Sequence, residues 1–164
     1  MTLIRFAAIL AFFSSILLSA ACGGKNVGNV ALNQPSNIAV DNSNSSKSNG
    51  EELGLLINVP FDTEDVVWKE DSFNKRLVAV LRFSKMDSDK LVADAEKIAP
   101  PQPVVLPSET WFPPELIAQS ENNGDDNLKG TAYAANKFFQ TPYTEGKITR
   151  IENTEYFVLE LSAK

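Results

Sequence analysis

Asn and Ser supply 12 of the 26 residues from Lys25 to Gly50, and this stretch limits what the rest of the chain can fold into. It carries almost no large apolar side chain, so it cannot bury enough surface to offset the entropy of ordering itself. Residues 23–52 therefore read as a flexible tether. An apolar run fills residues 1–21. Residues 53–164 remain for a core, and these 112 residues suit one small domain. Two cored domains, a large barrel or a two-lobed enzyme are excluded.

Composition removes further classes. The 164-residue chain holds no His, and Cys22 is its one Cys. Disulfides, His or Cys metal sites and His-dependent catalytic triads are excluded. Lys and Arg number 15 against 21 Asp and Glu, a net of −6. No basic stripe interrupts that balance, so nucleic acid is not an expected partner.

Residues 1–21 have the form of a secretory signal. Arg5 supplies the positive start, Phe6 to Leu18 the apolar stretch broken by Ser14 and Ser15, and Ser19, Ala20 and Ala21 the small residues before a cleavage point. Phe6 to Ala21 is 16 residues, short of the ~18–20 that span a bilayer. The run Leu18-Ser19-Ala20-Ala21-Cys22 resembles the lipobox of bacterial lipoproteins, with Ser19 where that motif most often has Leu.

The resemblance covers residues 1–22 only. It implies that the Cys22 thiol receives a diacylglyceryl group and that cleavage leaves Cys22 as the new N-terminus. One acyl chain binds a membrane only marginally, whereas two hold it firmly. Gly23 rather than Asp follows Cys22. In bacteria with two membranes this implies the periplasmic face of the outer membrane. An ordinary cleaved signal with an incidental Cys, or an uncleaved anchor, are the alternatives; an unpaired thiol is unusual in a secreted chain.

Periodicity sketches the domain. Leu53, Leu55, Ile57 and Val59 alternate, which predicts a strand stopped by Pro60. Val66-Val67-Trp68 predicts a short strand. Leu77 to Ser84 predicts a central one, with Leu77, Ala79, Leu81 and Phe83 on one face. Leu91, Val92, Ala95 and Ile98 then recur at helical spacing, behind a cap at Ser84 or Asp87, with Lys90 and Asp94 paired on the wet side. Pro100 and Pro101 end that helix. Ala99 to Glu109 reads as an extended crossing loop.

Pro113 and Pro114 suit the first turn of a helix over Glu115 to Ser120. Residues 121–127 read as a polar turn, and 128–139 stay open between helix and strand. Residues 147–152 and 155–162 form a hairpin around Asn153-Thr154. The order predicts an α+β domain with a mainly antiparallel sheet of about four to six strands and one or two short helices.

The sequence shows no nucleophile elbow, phosphate-binding loop or dinucleotide fingerprint. Asp87, Asp89 and Asp94 fall around the amphipathic helix and read as caps or solvated charges. Glu121 to Asn127 lacks the spacing of a calcium loop. No metal or other cofactor is expected. Trp111, Phe112, Tyr133, Phe138, Phe139 and Tyr143 cluster within residues 110–143 among prolines. They form either a binding surface for an envelope protein or peptidoglycan component, or a lid over the sheet. The expected function is a non-enzymatic, lipid-anchored envelope module. The alternative is a small hydrolase using paired carboxylates on envelope glycans or peptides.

Overall fold

The computed structural model describes residues 45–164, so Cys22, the signal and most of the tether lie outside the described residues. The domain is α+β. Six antiparallel strands form one sheet: β1 (Thr63–Asp71), β2 (Arg76–Phe83), β3 (Gln102–Pro107), β4 (Asn127–Ala134), β5 (Tyr143–Ile151) and β6 (Tyr156–Ala163). Their order across the sheet is β1-β2-β6-β5-β4-β3. Three short helices, α1 (Gly50–Leu56), α2 (Lys85–Glu96) and α3 (Pro114–Asn123), and a 3-10 turn (Asn136–Phe138) complete it. None of the helices among the described residues is long and apolar enough to cross a membrane.

Side-chain alternation on the central strands makes two cores, one on each face. Leu77, Ala79, Leu81 and Phe83 of β2 join Phe157, Leu159 and Leu161 of β6 on the first face, roofed by Leu53 and Ile57 beside α1, Leu91 of α2 and Phe138. Val80 and Val158 point the other way, to a smaller core closed by Phe112, Leu116, Leu128, Ile151 and Tyr156. The register Trp68↔Ala79↔Leu159↔Ile148 carries the first core across four strands.

Three local expectations are corrected. Leu53 to Val59 is not a strand: α1 occupies Gly50–Leu56. The Asn49 side chain caps it, accepting from Glu51 N at 2.9 Å and Glu52 N at 3.3 Å. Glu51 and Glu52 sit in its first turn, where acids favour the positive end of a helix. Residues 47–52, read as the end of the tether, are therefore ordered at the domain surface, Lys47 bridging to Trp68 and Gly50 opening α1.

The loop expected over Ala99 to Glu109 contains the edge strand β3, paired through Gln102–Pro107 with β4. Ser108 N donates to the Asp126 carbonyl at 2.9 Å, and the ladder's alternation from that rung turns Pro103, Val105 and Pro107 outward. Proline has no N–H to lose on an open edge. This edge thus offers little to an incoming strand.

The expected Lys90–Asp94 pair does not form. Lys90 binds Asp87 at 3.2 Å, while Asp94 takes Lys97 at 2.7 Å and Lys137 from the 3-10 turn. The other elements follow the sequence reading closely. Ser84 caps α2, accepting from Asp87 N at 3.2 Å, and residues 127–134 resolve as a strand.

Candidate functional site

The six aromatic residues do not converge on one surface. Phe112, Phe138 and Tyr143 are buried in the two cores, at 4%, 0% and 1% exposure. Tyr133 and Phe139 pack half-buried against the first core, on the opposite face from Phe112. The lid role accounts for five of the six, because a domain of this size needs its large rings for its own core.

Trp111 differs. Its ring meets Phe112 edge-on at 4.8 Å, and the Lys69 ammonium lies 5.7 Å from its centre. Its indole N–H donates to Glu109 Oε2 at 2.5 Å. The ring forms one wall of a cleft of about 240 Å³ that Lys69, Glu70, Asp71, Arg76, Val78 and Glu109 complete. Two cations and three acids surround an aromatic wall, which suits a polar ligand with an apolar patch.

The acids of this cleft are already bonded. Glu70 accepts from the Tyr143 hydroxyl at 2.6 Å, and Asp71 accepts from Asn74 N at 2.9 Å and Asn74 Nδ2 at 2.6 Å. The Asn74 bonds pull Asp71 below its ordinary pKa. Burial, helped by Glu70, pushes the Tyr143 phenol far upward, so it stays protonated and donating.

A wider cleft of about 400 Å³ opens at the other end of the sheet, lined by Thr131, Tyr133, Arg150, Glu152, Asn153, Thr154 and Glu155. Arg150 dominates it. The guanidinium lies 5.9 Å from the centre of the Phe157 ring, binds Glu155 at 2.8 Å and reaches Asp89 at 3.5 Å. Two carboxylates thus already answer the one cation. Burial raises the Tyr133 pKa, with Glu96 adding to the effect.

Neither cleft brings together two free carboxylates. Asp87 serves the start of α2, accepting from the Ser84 hydroxyl at 2.8 Å, and its pKa is lowered by that bond. Asp94 falls to about 2 through its bonds to Lys137 and Lys97. A general acid at a glycan needs the opposite displacement.

At residues 121–127, α3 continues to Asn123, and Gly124 closes it at φ 79. The Asp125 side chain accepts from Asn127 N at 3.2 Å, a bond internal to the turn.

Sequence reasoning missed Lys69, Arg76 and Glu109 as partners of Trp111. Glu109 lies two residues from Trp111, but Lys69 and Arg76 belong to β1 and β2, and only the fold brings them to the ring.

Comparison with protein-family models, with characterised proteins and with solved structures finds no match.

Proposed function

We propose that this chain is a non-catalytic module of a bacterial cell envelope, held at the periplasmic face of an outer membrane by lipid on Cys22. The observation that carries the reading is Leu18-Ser19-Ala20-Ala21-Cys22 behind an apolar stretch that opens with Arg5. Cys22 stands 25 residues before Lys47, which is about 80 Å of chain at full extension. That length sets the upper limit on how far the domain can stand from the headgroups.

The partner contact in this reading is the Trp111 cleft, where a half-exposed ring from the proline-rich segment stands among Lys69, Glu70, Asp71, Arg76 and Glu109. An envelope protein or a peptidoglycan fragment offers the matching mixture of amide, charge and apolar methyl groups.

Detergent-phase partitioning of the native chain and of Cys22→Ser tests the anchor. The native chain enters the detergent phase and Cys22→Ser stays in water. Equal partitioning of the two would overturn the reading.

A further inference from the structure

Phe73 caps the turn between β1 and β2 and is 93% exposed. The turn that carries it is well tied. Asp71 accepts from both the backbone and the side-chain nitrogen of Asn74, at 2.9 and 2.6 Å, and Lys75 takes φ 50 to bring the chain back into β2. The domain thus holds a whole aromatic ring in water on an ordered support, where it adds nothing to either core.

The surroundings of that ring are cationic for so acidic a chain. Lys75 and Arg76 follow it, after Asn74. Ala163 N donates to the Lys75 carbonyl at 3.0 Å, which brings Lys164 to the same end of the sheet. From the last rung outward, three cations (Lys75, Arg76 and Lys164) stand against two acids, Asp71 and Glu145, in a chain of net −6. Asp71 is held in the turn, and Glu145 lies 3.2 Å from Lys164.

The path of the chain gives this end a direction. Lys47 and Trp68 pair antiparallel, each N–H donating to the other's carbonyl at 2.8 Å. β1 runs from Thr63 to Asp71, so backbone entering Lys47 comes from the Asp71 end of the strand. The described chain therefore enters the domain beside the turn that bears Phe73.

We propose that the β1–β2 turn docks on the lipid surface to which Cys22 is attached, with the Phe73 ring at the boundary of headgroups and acyl chains. Lys75, Arg76 and Lys164 then face the lipid phosphates. An aromatic ring beside cations suits that boundary: the ring leaves water while the charges stay with anionic groups. The docked domain lies against the bilayer with the Arg150 cleft, at the far end of the sheet, turned outward. This inference rests on the lipid anchor proposed above.

The test uses the full chain, expressed with residues 1–21 and reconstituted into phosphatidylcholine–phosphatidylglycerol vesicles. One environment-sensitive thiol probe is placed at Ser72→Cys, or at Glu152→Cys beyond the opposite end of the sheet. Flotation with the vesicles reports the anchor, and probe emission reports docking. The expected result is flotation of both proteins, with a blue shift and quenching by lipid-borne quenchers for the Ser72 probe alone. Adding Phe73→Ser to Ser72→Cys abolishes the shift; being at an exposed position, it leaves the fold intact.

Failure to float would overturn the anchor and this inference together. Flotation with a water-like Ser72 probe, or with Ser72 and Glu152 probes that behave alike, would overturn the inference alone. A shift that survives Phe73→Ser would remove the ring from the contact and overturn it too.

Discussion

Lys47 and Trp68 hold the start of the domain to its outer strand, exchanging two backbone hydrogen bonds of 2.8 Å. Around this pair the Trp68 indole N–H donates to the Asn49 carbonyl at 3.1 Å, and the Lys47 ammonium stands 4.7 Å from the centre of the Trp68 ring. Asn49 in turn caps α1, whose Leu53 enters the first core. One strand rung, one cap and one buried ring thus form a continuous connection. Trp68→Ala should cost about 3–5 kcal/mol by emptying a fully buried position. Asn49→Ala should cost about 1 kcal/mol by freeing two first-turn amides. Chemical denaturation of both variants measures the difference, and equal effects would contradict this ranking.

Asp94 joins α2 to the 3-10 turn through Lys137, and its carboxyl titrates at about 2 rather than 3.8. A carboxyl depressed on folding adds stability above its unfolded pKa and loses it as pH falls through the folded one. The contribution is therefore complete above roughly pH 4 and is lost toward pH 2. Asp94→Asn should be less stable than the native chain at pH 7, with the gap closing between pH 4 and 2. Denaturation across that range checks it, and a gap that stays constant would contradict the assignment.

Thr149 sits on β5 facing the second core at 0% exposure, and its hydroxyl finds no hydrogen-bond partner among the described residues. A buried hydroxyl left unpaired costs roughly 1–3 kcal/mol. Val has nearly the same branched shape and suits a strand equally well. Thr149→Val should raise stability by about 1 kcal/mol, read as a higher denaturation midpoint with unchanged slope. A lower midpoint would show that the hydroxyl is satisfied.

Gly146 follows the irregularity near the start of β5 and takes φ 150. A Cβ there would fall onto the Glu160 carbonyl oxygen and meet Leu161 Cδ2 at 2.7 Å. Gly146→Ala should cost at least about 1–3 kcal/mol, from backbone strain and displacement of β6. A neutral substitution, judged by thermal melting, would mean that the strand relaxes freely.

The parts of the fold that the sequence reveals are those in which local pattern and burial agree. β2 and β6 carry apolar residues on both faces, and both are buried on both faces. Leu53-Gly54-Leu55-Leu56-Ile57 misleads because a run this short fits two periods at once. Leu53 and Ile57 share a helix face, yet Leu53, Leu55 and Ile57 also alternate, and the exposure of Leu55 at 78% fits the helix alone. The deciding signal was Asn49 followed by Glu51 and Glu52, placed in what looked like polar tether.

β3 hides behind its prolines, which become informative once their outward parity is known. The Lys137–Asp94 contact spans 43 residues, so no local spacing announces it. The aromatic cluster was visible as composition, but its division between two faces depends on the strand order.

The most direct measurement of the central claim is the intact mass of the native chain, purified from membranes in detergent. The account predicts a polypeptide that begins at Cys22 and carries the added mass of a diacylglyceryl group on its thiol. A chain that retains Met1, or that lacks acyl mass at Cys22, would contradict it.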